Sequence, residues 1–262
     1  RGRREEAGVP ETIAFQTRPG LALEMLKECG GRLPHAWVAG DDEMGRPSSF
    51  RQELRDANER YLLAVPSNLL IRDLEVAPPE SSGRGRHPKV PFTRWDRWRG
   101  ALPERAWTRI DVRDGEKGPL VIEAVTRRIQ ARTETGGTGP EELLFLTRGR
   151  QADGTDKHDY YFSNADPGTS LKERARVAKA EHRVEECFER AKGEAGLADD
   201  QGRNGMAWHH HQTLALLAAW FLTQETRRGK NPDPCADVAA TSGAHRGRDR
   251  VSPRHQSPIV SL

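Results

Sequence analysis

The spacing of apolar residues predicts three helices before residue 200. They are predicted within residues 12–30, 46–60 and 177–192, because apolar residues recur there at intervals of three and four. The first is followed by Gly30 and Gly31, which are typical of a helix end. The apolar stripe of the third helix consists of Val177, Ala180, Val184, Cys187 and Ala191.

Short apolar runs predict buried strands at residues 35–40 and 61–66, on either side of the second helix. A strand, helix, strand order favours a parallel or mixed sheet. Between residues 76 and 165, two stretches of alternating apolar and polar positions predict a hairpin, and two short apolar segments predict further β strands. These segments lie at residues 107–112, 120–125, 142–147 and 159–163.

Three acidic residues follow the first predicted strand, namely Asp41, Asp42 and Glu43. The carboxyl end of a buried strand is a common place for ligands in open α/β sheets, and a metal could offset the repulsion between the acids. Asp is also a frequent N-cap residue, so a polar turn before a helix explains the same residues. Both interpretations remain open at this point.

The third helix places Glu185 and Lys192 on one face, two turns apart, with Phe188 between them. From spacing alone, both charges could be ordinary surface residues. A site on this face would need a second carboxylate from elsewhere in the chain. Farther along, His209, His210 and His211 are adjacent on a predicted helix, so their side chains cannot converge on one zinc ion.

Composition narrows the class of protein. Of 262 residues, 35% are hydrophobic and 31% are charged, and the formal net charge is +3. This balance permits a nucleic-acid partner without requiring one. The three cysteines are scattered and favour a reducing compartment. We therefore expect a cytoplasmic protein without a membrane span.

A segment rich in Pro, Gly and basic residues begins near Val76 and contains Arg84, Arg86 and Lys89. These side chains could contact DNA phosphates, or the segment could be an ordinary exposed loop. Residues 214–222 are apolar on nearly all sides, which predicts a buried core helix. We expect residues 229–262 to be a disordered tail.

The order of several motifs resembles bacterial insertion-sequence DDE transposases, in the insertion sequence four superfamily and its seven-hundred-and-one-like branch. The resemblance covers about residues 9–230. The motifs are GDDEMG at 40–45, RYLLAVP at 60–66, YYFSNA at 160–165, HRVEECFERAKGEAGL at 182–197 and WHHHQTLALLAAWFL at 208–222.

The resemblance implies an RNase H-like α/β fold, in which a mixed sheet is flanked by helices and a β-rich insertion precedes the helix of the catalytic Glu. The second family acid precedes a Gly by four positions, which selects Asp41 with Gly45. Glu185 and Lys192 fit the family's Glu and Lys positions. Ala178 and Glu181 stand where the family has Tyr and Arg, and Arg183 could replace part of that lost charge.

No candidate for the first family acid precedes the helix at residues 12–30, so we expect an N-terminally truncated transposase. The expected organisation is a partial RNase H-like core at 1–75, the β-rich insertion at 76–165 and a C-terminal part of the core at 166–228. The disordered tail at 229–262 would follow.

The activity implied by the resemblance is cleavage and transfer of DNA strands, with Asp41 and Glu185 as catalytic metal ligands for two Mg²⁺ or Mn²⁺ ions. Lys192, Arg183, Arg84, Arg86 and Lys89 would bind DNA phosphates. The partners would be transposon-end and target DNA together with further copies of the chain, in a bacterial cytoplasm and near the nucleoid. A non-catalytic relic that binds DNA ends or a partner protein is the alternative. An unrelated metal-dependent nuclease would have no reason to keep the insertion.

Overall fold

A computed structural model describes residues 2–81, 83, 87–115, 118–151, 153–230 and 259–261. The chain forms two compact units, a sheet unit of residues 16–182 and 257–262 and a helical unit of residues 1–15 and 183–256. The helices are α1 (Arg3–Glu6), α2 (Arg18–Cys29), α3 (Asp42–Gly45), α4 (Ser48–Asp56), α5 (Trp95–Gly100), α6 (Leu171–Ala178), α7 (Glu181–Glu194) and α8 (Gly205–Lys230). The strands are β1 (Trp37–Gly40), β2 (Tyr61–Ala64), β3 (Leu70–Asp73), β4 (Thr93–Arg94), β5 (Thr108–Gly115), β6 (Gly118–Arg132), β7 (Thr138–Arg150), β8 (Asp156–Ser163) and β9 (Ile259–Ser261).

Within the described residues, nine strands form one sheet. Its order is β4-β3-β6-β7-β8-β2-β1-β9, and β5 pairs with β6. β1 is parallel to both β2 and β9, whereas the other pairs are antiparallel. The prediction of a mixed sheet flanked by helices is confirmed, and the arrangement is consistent with an RNase H-like fold.

Helices cover both faces of this sheet because its strands carry apolar side chains on both sides. Trp37, Ala39 and Leu62 point to one face, where they share a core with α6. Val38 and Leu63 point to the opposite face, where α2 and α4 cover them. α2 begins after Thr17, whose side-chain oxygen accepts a hydrogen bond from a backbone N–H of the first turn. The helices around β1 and β2 therefore bury both faces of these two strands.

The β-rich segment is continuous with this sheet. β6 and β7 are longer than predicted, and with β8 they lie between β3 and β2. Trp95 of α5 is fully buried and stacks on Phe162 of β8, with ring centroids 5.2 Å apart. Trp95 is therefore a core residue of this sheet. Residues 76–165 supply the middle of the same sheet that contains β1 and β2.

The prediction of one continuous helix over residues 177–192 is wrong. α6 ends at Ala178 and α7 begins at Glu181. Lys179 lies between them, and its ammonium group donates to Asp159 Oδ2 at 2.7 Å. Val177 is buried with α6, whereas Cys187 of α7 is exposed. The apolar spacing continued through the break because Ala180 fits a helical stripe as well as a short turn.

The prediction that α8 is a buried helix is also wrong. Its side chains are described from Gly205 to Arg228, and among these Ala215 is the buried one. Leu214, Trp220 and Phe221 are 66%, 62% and 56% exposed. α8 carries apolar side chains on all sides of its own surface. Packing against one side of the helix cannot cover them all. No described helix is long and apolar enough to cross a membrane.

The predicted tail at 229–262 is described only in part. Gly229 and Lys230 continue α8, and residues 259–261 form β9. Residues 231–258 and Leu262 lie outside the described residues.

Candidate functional site

Asp41 lies directly after β1 and caps the short helix α3. Its Oδ1 accepts hydrogen bonds from the backbone N–H groups of Glu43 and Met44, at 3.1 and 3.2 Å. The residue itself is exposed to solvent. This geometry confirms the N-cap interpretation and fixes the direction of the carboxylate. The turn from Asp41 to Gly45 is called the Asp41 turn below.

Gly45 ends the Asp41 turn against β2. A Cβ atom at this position would lie 1.8 Å from the carbonyl oxygen of Ala64, which is far inside van der Waals contact. The N–H of Gly45 also donates to the carbonyl of Asp41 at 2.9 Å. A residue with a side chain would therefore push the turn away from the sheet. The spacing between Asp41 and Gly45 has this structural cause.

Arg51 of α4 forms hydrogen bonds with the main chain at the end of the Asp41 turn. Its Nη1 donates to the carbonyl oxygens of Gly45 and Arg46, at 2.5 and 3.1 Å. The other side of the guanidinium binds Glu142 of β7, with Nε and Nη2 at 2.9 and 3.3 Å from its carboxylate oxygens. Arg51 is 4% exposed, and the side chain of Glu142 is 0% exposed. A buried ion pair thus connects the middle of the sheet to the turn.

Tyr61 of β2 completes this buried network. Its hydroxyl donates to Glu142 Oε1 at 2.6 Å. Burial raises the pKa of Tyr61, and the negative charge of Glu142 raises it further. The phenol therefore stays protonated and acts as a donor. Sequence analysis did not identify Arg51 or Glu142, because charged residues in a helix and a strand read as surface positions.

The other acids near Asp41 do not form a cluster with it. Asp42 is exposed, and the carboxylate of Glu43 pairs with Arg18 of α2 at 2.7 Å. Across the described part of the chain, no group of three or more His, Cys, Asp or Glu residues is arranged to hold a metal ion. Asp41 Oδ1 already accepts two N–H donors. The described side chains therefore do not assemble three metal ligands around Asp41, and Asp41 offers a single carboxylate.

The predicted residues of the third helix lie on α7, in the helical unit. Glu185 and Lys192 are both exposed, and Phe188 is 51% exposed. The side chain of Arg183 is outside the described residues. Asp41 belongs to the sheet unit. The meeting of Asp41 with Glu185 stays a prediction.

Of the predicted phosphate-binding residues before β4, Lys89 is described and exposed, whereas Arg84 and Arg86 lie outside the described residues. Arg72 of β3 donates to the carbonyl of Val90 at 2.7 Å. The guanidinium carbons of Arg72 and Arg132 lie 4.2 and 6.0 Å from the ring centroid of Phe92. Arg72 and Arg132 thus lie next to residues 87–92, which are called the Lys89 segment below. The sequence did not predict this, because the two arginines belong to other elements, the strands β3 and β6.

A polar cavity of about 520 Å³ lies beside the residues that precede β1 and β2. This is the edge of the sheet opposite to Asp41, because β1 and β2 are parallel. The backbone hydrogen bond to Leu33 raises the pKa of His35 in this cavity; burial opposes the rise and Glu59 adds to it. Other residues of the lining include Arg55, Arg60, Asn164 and Asp166.

Comparison with known proteins shows similarity to a family model. The pattern of a family described as DDE superfamily endonuclease matches residues 1–119. The matched part includes Asp41, Gly45 and Arg51, and it ends before Glu142 and α7. No curated protein matches the chain.

Proposed function

We propose that the chain is a catalytic-domain fragment of a DDE transposase, which cleaves and joins DNA strands. The observation that carries the proposal is the Asp41 turn. It presents an exposed carboxylate at the carboxyl end of a strand that is parallel to its neighbour, and Gly45 is tightly packed four residues later. The similarity of residues 1–119 to DDE superfamily endonucleases supports the same assignment.

In this proposal Asp41 and Glu185 are the acids of the reaction centre, and Lys192 binds a phosphate close to the bond that is cut. Lys89, Arg84, Arg86 and Arg183 bind phosphates farther along the DNA. The contacts of Arg72 and Arg132 with Phe92 support a phosphate-binding role of the Lys89 segment, because they gather positive charge there.

Mg²⁺ or Mn²⁺ is the proposed cofactor, because hard carboxylate oxygens suit these ions. Asp41 offers one such group. Since the described side chains do not assemble a group of three metal ligands, we assign no chemical step to a metal. The proposed partners are double-stranded DNA and further copies of the chain, in the bacterial cytoplasm.

The alternative is a non-catalytic relic that binds transposon-end DNA or a partner protein. Among the described residues, no group of three acids or other metal ligands includes Asp41, which agrees with this alternative. The transposase requires binding to DNA and needs Asp41 and Glu185 for strand cleavage. The relic requires binding to DNA or to a partner protein, and it needs neither acid for that.

The test measures binding and nicking of a supercoiled plasmid in Mg²⁺ and in Mn²⁺, with Asp41→Asn and Glu185→Gln as variants. We expect the chain alone to bind DNA and not to nick it. Nicking that disappears in both variants would establish an active nuclease and overturn the expectation that an acid is missing. Absence of DNA binding would overturn the transposase and the DNA-binding form of the relic, and would leave the relic that binds a partner protein.

A further inference from the structure

We infer that Arg51 is a positioning residue, which holds the Asp41 carboxylate in place through the main chain of the Asp41 turn. The inference rests on the proposed function for the role of Asp41. It gives the buried ion pair of Arg51 and Glu142 a role in positioning Asp41, although this pair does not itself reach the surface where DNA would bind. Three observations carry it.

The first observation is the place at which Arg51 holds the chain. Gly45 and Arg46 are the last residue and the C-cap of α3, and their carbonyls have no helical partner at such an end. Arg51 Nη1 donates to both carbonyls. The Asp41 side chain holds the other end of the same four-residue helix. The arginine and the aspartate therefore hold opposite ends of one short element.

The second observation is the anchor of the arginine. Glu142 binds it through two carboxylate oxygens and is itself held by the Tyr61 hydroxyl. The guanidinium carbon also lies 5.1 Å from the ring centroid of Phe162. All of these partners belong to strands of the central sheet. These contacts connect the Arg51 guanidinium, and through it the carbonyls of Gly45 and Arg46, to the central sheet.

The third observation is a second connection between α4 and the β6–β7 hairpin, the hairpin that contains Glu142. Glu134, in the turn between β6 and β7, accepts hydrogen bonds from the backbone N–H and the hydroxyl of Ser48, at the start of α4. Glu134 and Glu142 thus hold both ends of the segment from Ser48 to Arg51. The β6–β7 hairpin fixes the corner that follows Asp41.

Lysine cannot replace Arg51, because an ammonium group is a compact point charge and lacks the planar fork. It cannot bind both carboxylate oxygens of Glu142 and both carbonyls of the turn at once. A matched control exists in Arg174 of α6. It is 3% exposed, and its Nη2 also donates to two backbone carbonyls, those of Asp166 and Pro167. Arg174→Lys is therefore an equally buried change that leaves the Asp41 turn intact.

The experiment measures ¹⁵N relaxation order parameters of the backbone in the full chain. In the wild type we expect residues 42–45 to have values of about 0.85, as in rigid backbone. In Arg51→Lys they should fall below about 0.6, while β7 and β8 keep their values. In Arg174→Lys residues 42–45 should remain at the wild-type value.

Two results would overturn the inference. One is an Arg51→Lys chain in which residues 42–45 stay rigid. The other is a loss of order that spreads over the whole sheet in both lysine variants, since this would make Arg51 a structural residue only. Tyr61→Phe removes one donor to Glu142 and keeps the ring in the core, so it gives a second folded comparison. It should lower the order parameters of residues 42–45 by less than Arg51→Lys, and no change would contradict the role of the network.

The measurement needs neither DNA nor a metal ion. If the chain does not bind DNA but the turn loosens as expected, the proposed function fails and the role of Arg51 in the turn stands. If the chain binds DNA and the turn is insensitive to Arg51→Lys, the positioning role fails and the proposed function stands.

Discussion

The two regions that carry the proposed acids differ in what holds each acid in place. Asp41 is exposed, but the turn beneath it is tied to the sheet by Gly45, Arg51 and Glu142, which are buried. Glu185 is exposed on α7, in a unit whose longest helix, α8, leaves Leu214 and other large apolar side chains open to solvent.

This difference shows where each region obtains its stability. The sheet unit has its own core on both faces of the sheet and a buried polar network. In the helical unit, the described residues bury few large side chains. We therefore expect substitutions around Asp41 to affect folding, and equivalent substitutions around Glu185 to act mainly on the surface.

The largest expected effect is that of Glu142→Ala. It leaves the charge of Arg51 buried without its partner, which should lower the free energy of unfolding by about 4 kcal/mol. Glu185→Ala should change it by less than about 0.5 kcal/mol, because the residue is exposed. Urea unfolding followed by tryptophan fluorescence measures both values. Equal losses in the two variants would remove the contrast between the regions.

Gly45→Ala should lower the free energy of unfolding by about 3 kcal/mol, because the new Cβ would overlap the carbonyl oxygen of Ala64. Gly193→Ala is the matched change on α7, where a Cβ would meet no atom within 4 Å. It should stabilise the helix by at most about 1 kcal/mol. Thermal unfolding followed by circular dichroism compares them, and a mild Gly45→Ala variant would contradict the tight packing of the turn.

A smaller effect on the free energy of unfolding is expected from the ion pair between Asp159 and Lys179, and it depends on pH. Burial raises the pKa of Asp159, but the ammonium groups of Lys179 and Lys157 outweigh it and hold the pKa below its ordinary value of 3.8. The folded carboxylate therefore adds stability above about pH 4, and this stability is lost as the pH falls through the lowered pKa.

Asp159→Asn should remove this dependence, at a cost of about 1 kcal/mol at pH 7. The free energy of unfolding, measured from pH 5 down to pH 3, should then fall less steeply than in the wild type. Lys179→Met should flatten the curve in a similar way, and the double variant should add little. An unchanged slope in Asp159→Asn would show that other carboxylates govern acid unfolding.

The smallest effects are expected on the salt dependence of DNA binding. Lys89→Ala in the sheet unit and Lys192→Ala in the helical unit should each reduce the slope of log K against log salt by about 0.9, if each contacts one phosphate. Fluorescence anisotropy with a labelled duplex at several salt concentrations measures the slope. Lys27→Ala serves as the control, because Lys27 is exposed and lies 3.6 Å from Glu53. A change for Lys89 alone would confine DNA binding to the sheet unit.

Much of the sheet unit could be predicted, because its elements follow local rules. The glycines after α2, the alternation in β5 and β6 and the apolar runs of β1, β2, β7 and β8 all indicated the observed elements. The break between α6 and α7 could not be seen, because Lys179 and Ala180 are both acceptable in a helix. Lys179 in the break contacts Asp159 of β8, and the local spacing of apolar residues does not reveal such a contact.

The candidate site divides in the same way. The exposed Asp41 and its cap were predictable from an acid at a strand end before a helix. The support beneath it was not, since Arg51 and Glu142 are 91 residues apart and pair only because β7 passes α4 in the folded sheet. The pairing of Asp41 with Glu185 rests on the resemblance and stays a prediction.

The separation between Arg51 and Glu142 also sets an order of events when the protein is made. The Asp41 turn and α4 leave the ribosome early, but the carboxylate that locks them follows 91 residues later. Contacts between such distant segments form late, because a long loop must close first. We therefore expect Asp41 to stay loosely held in the nascent chain until the β6–β7 hairpin has been synthesised and has joined the sheet.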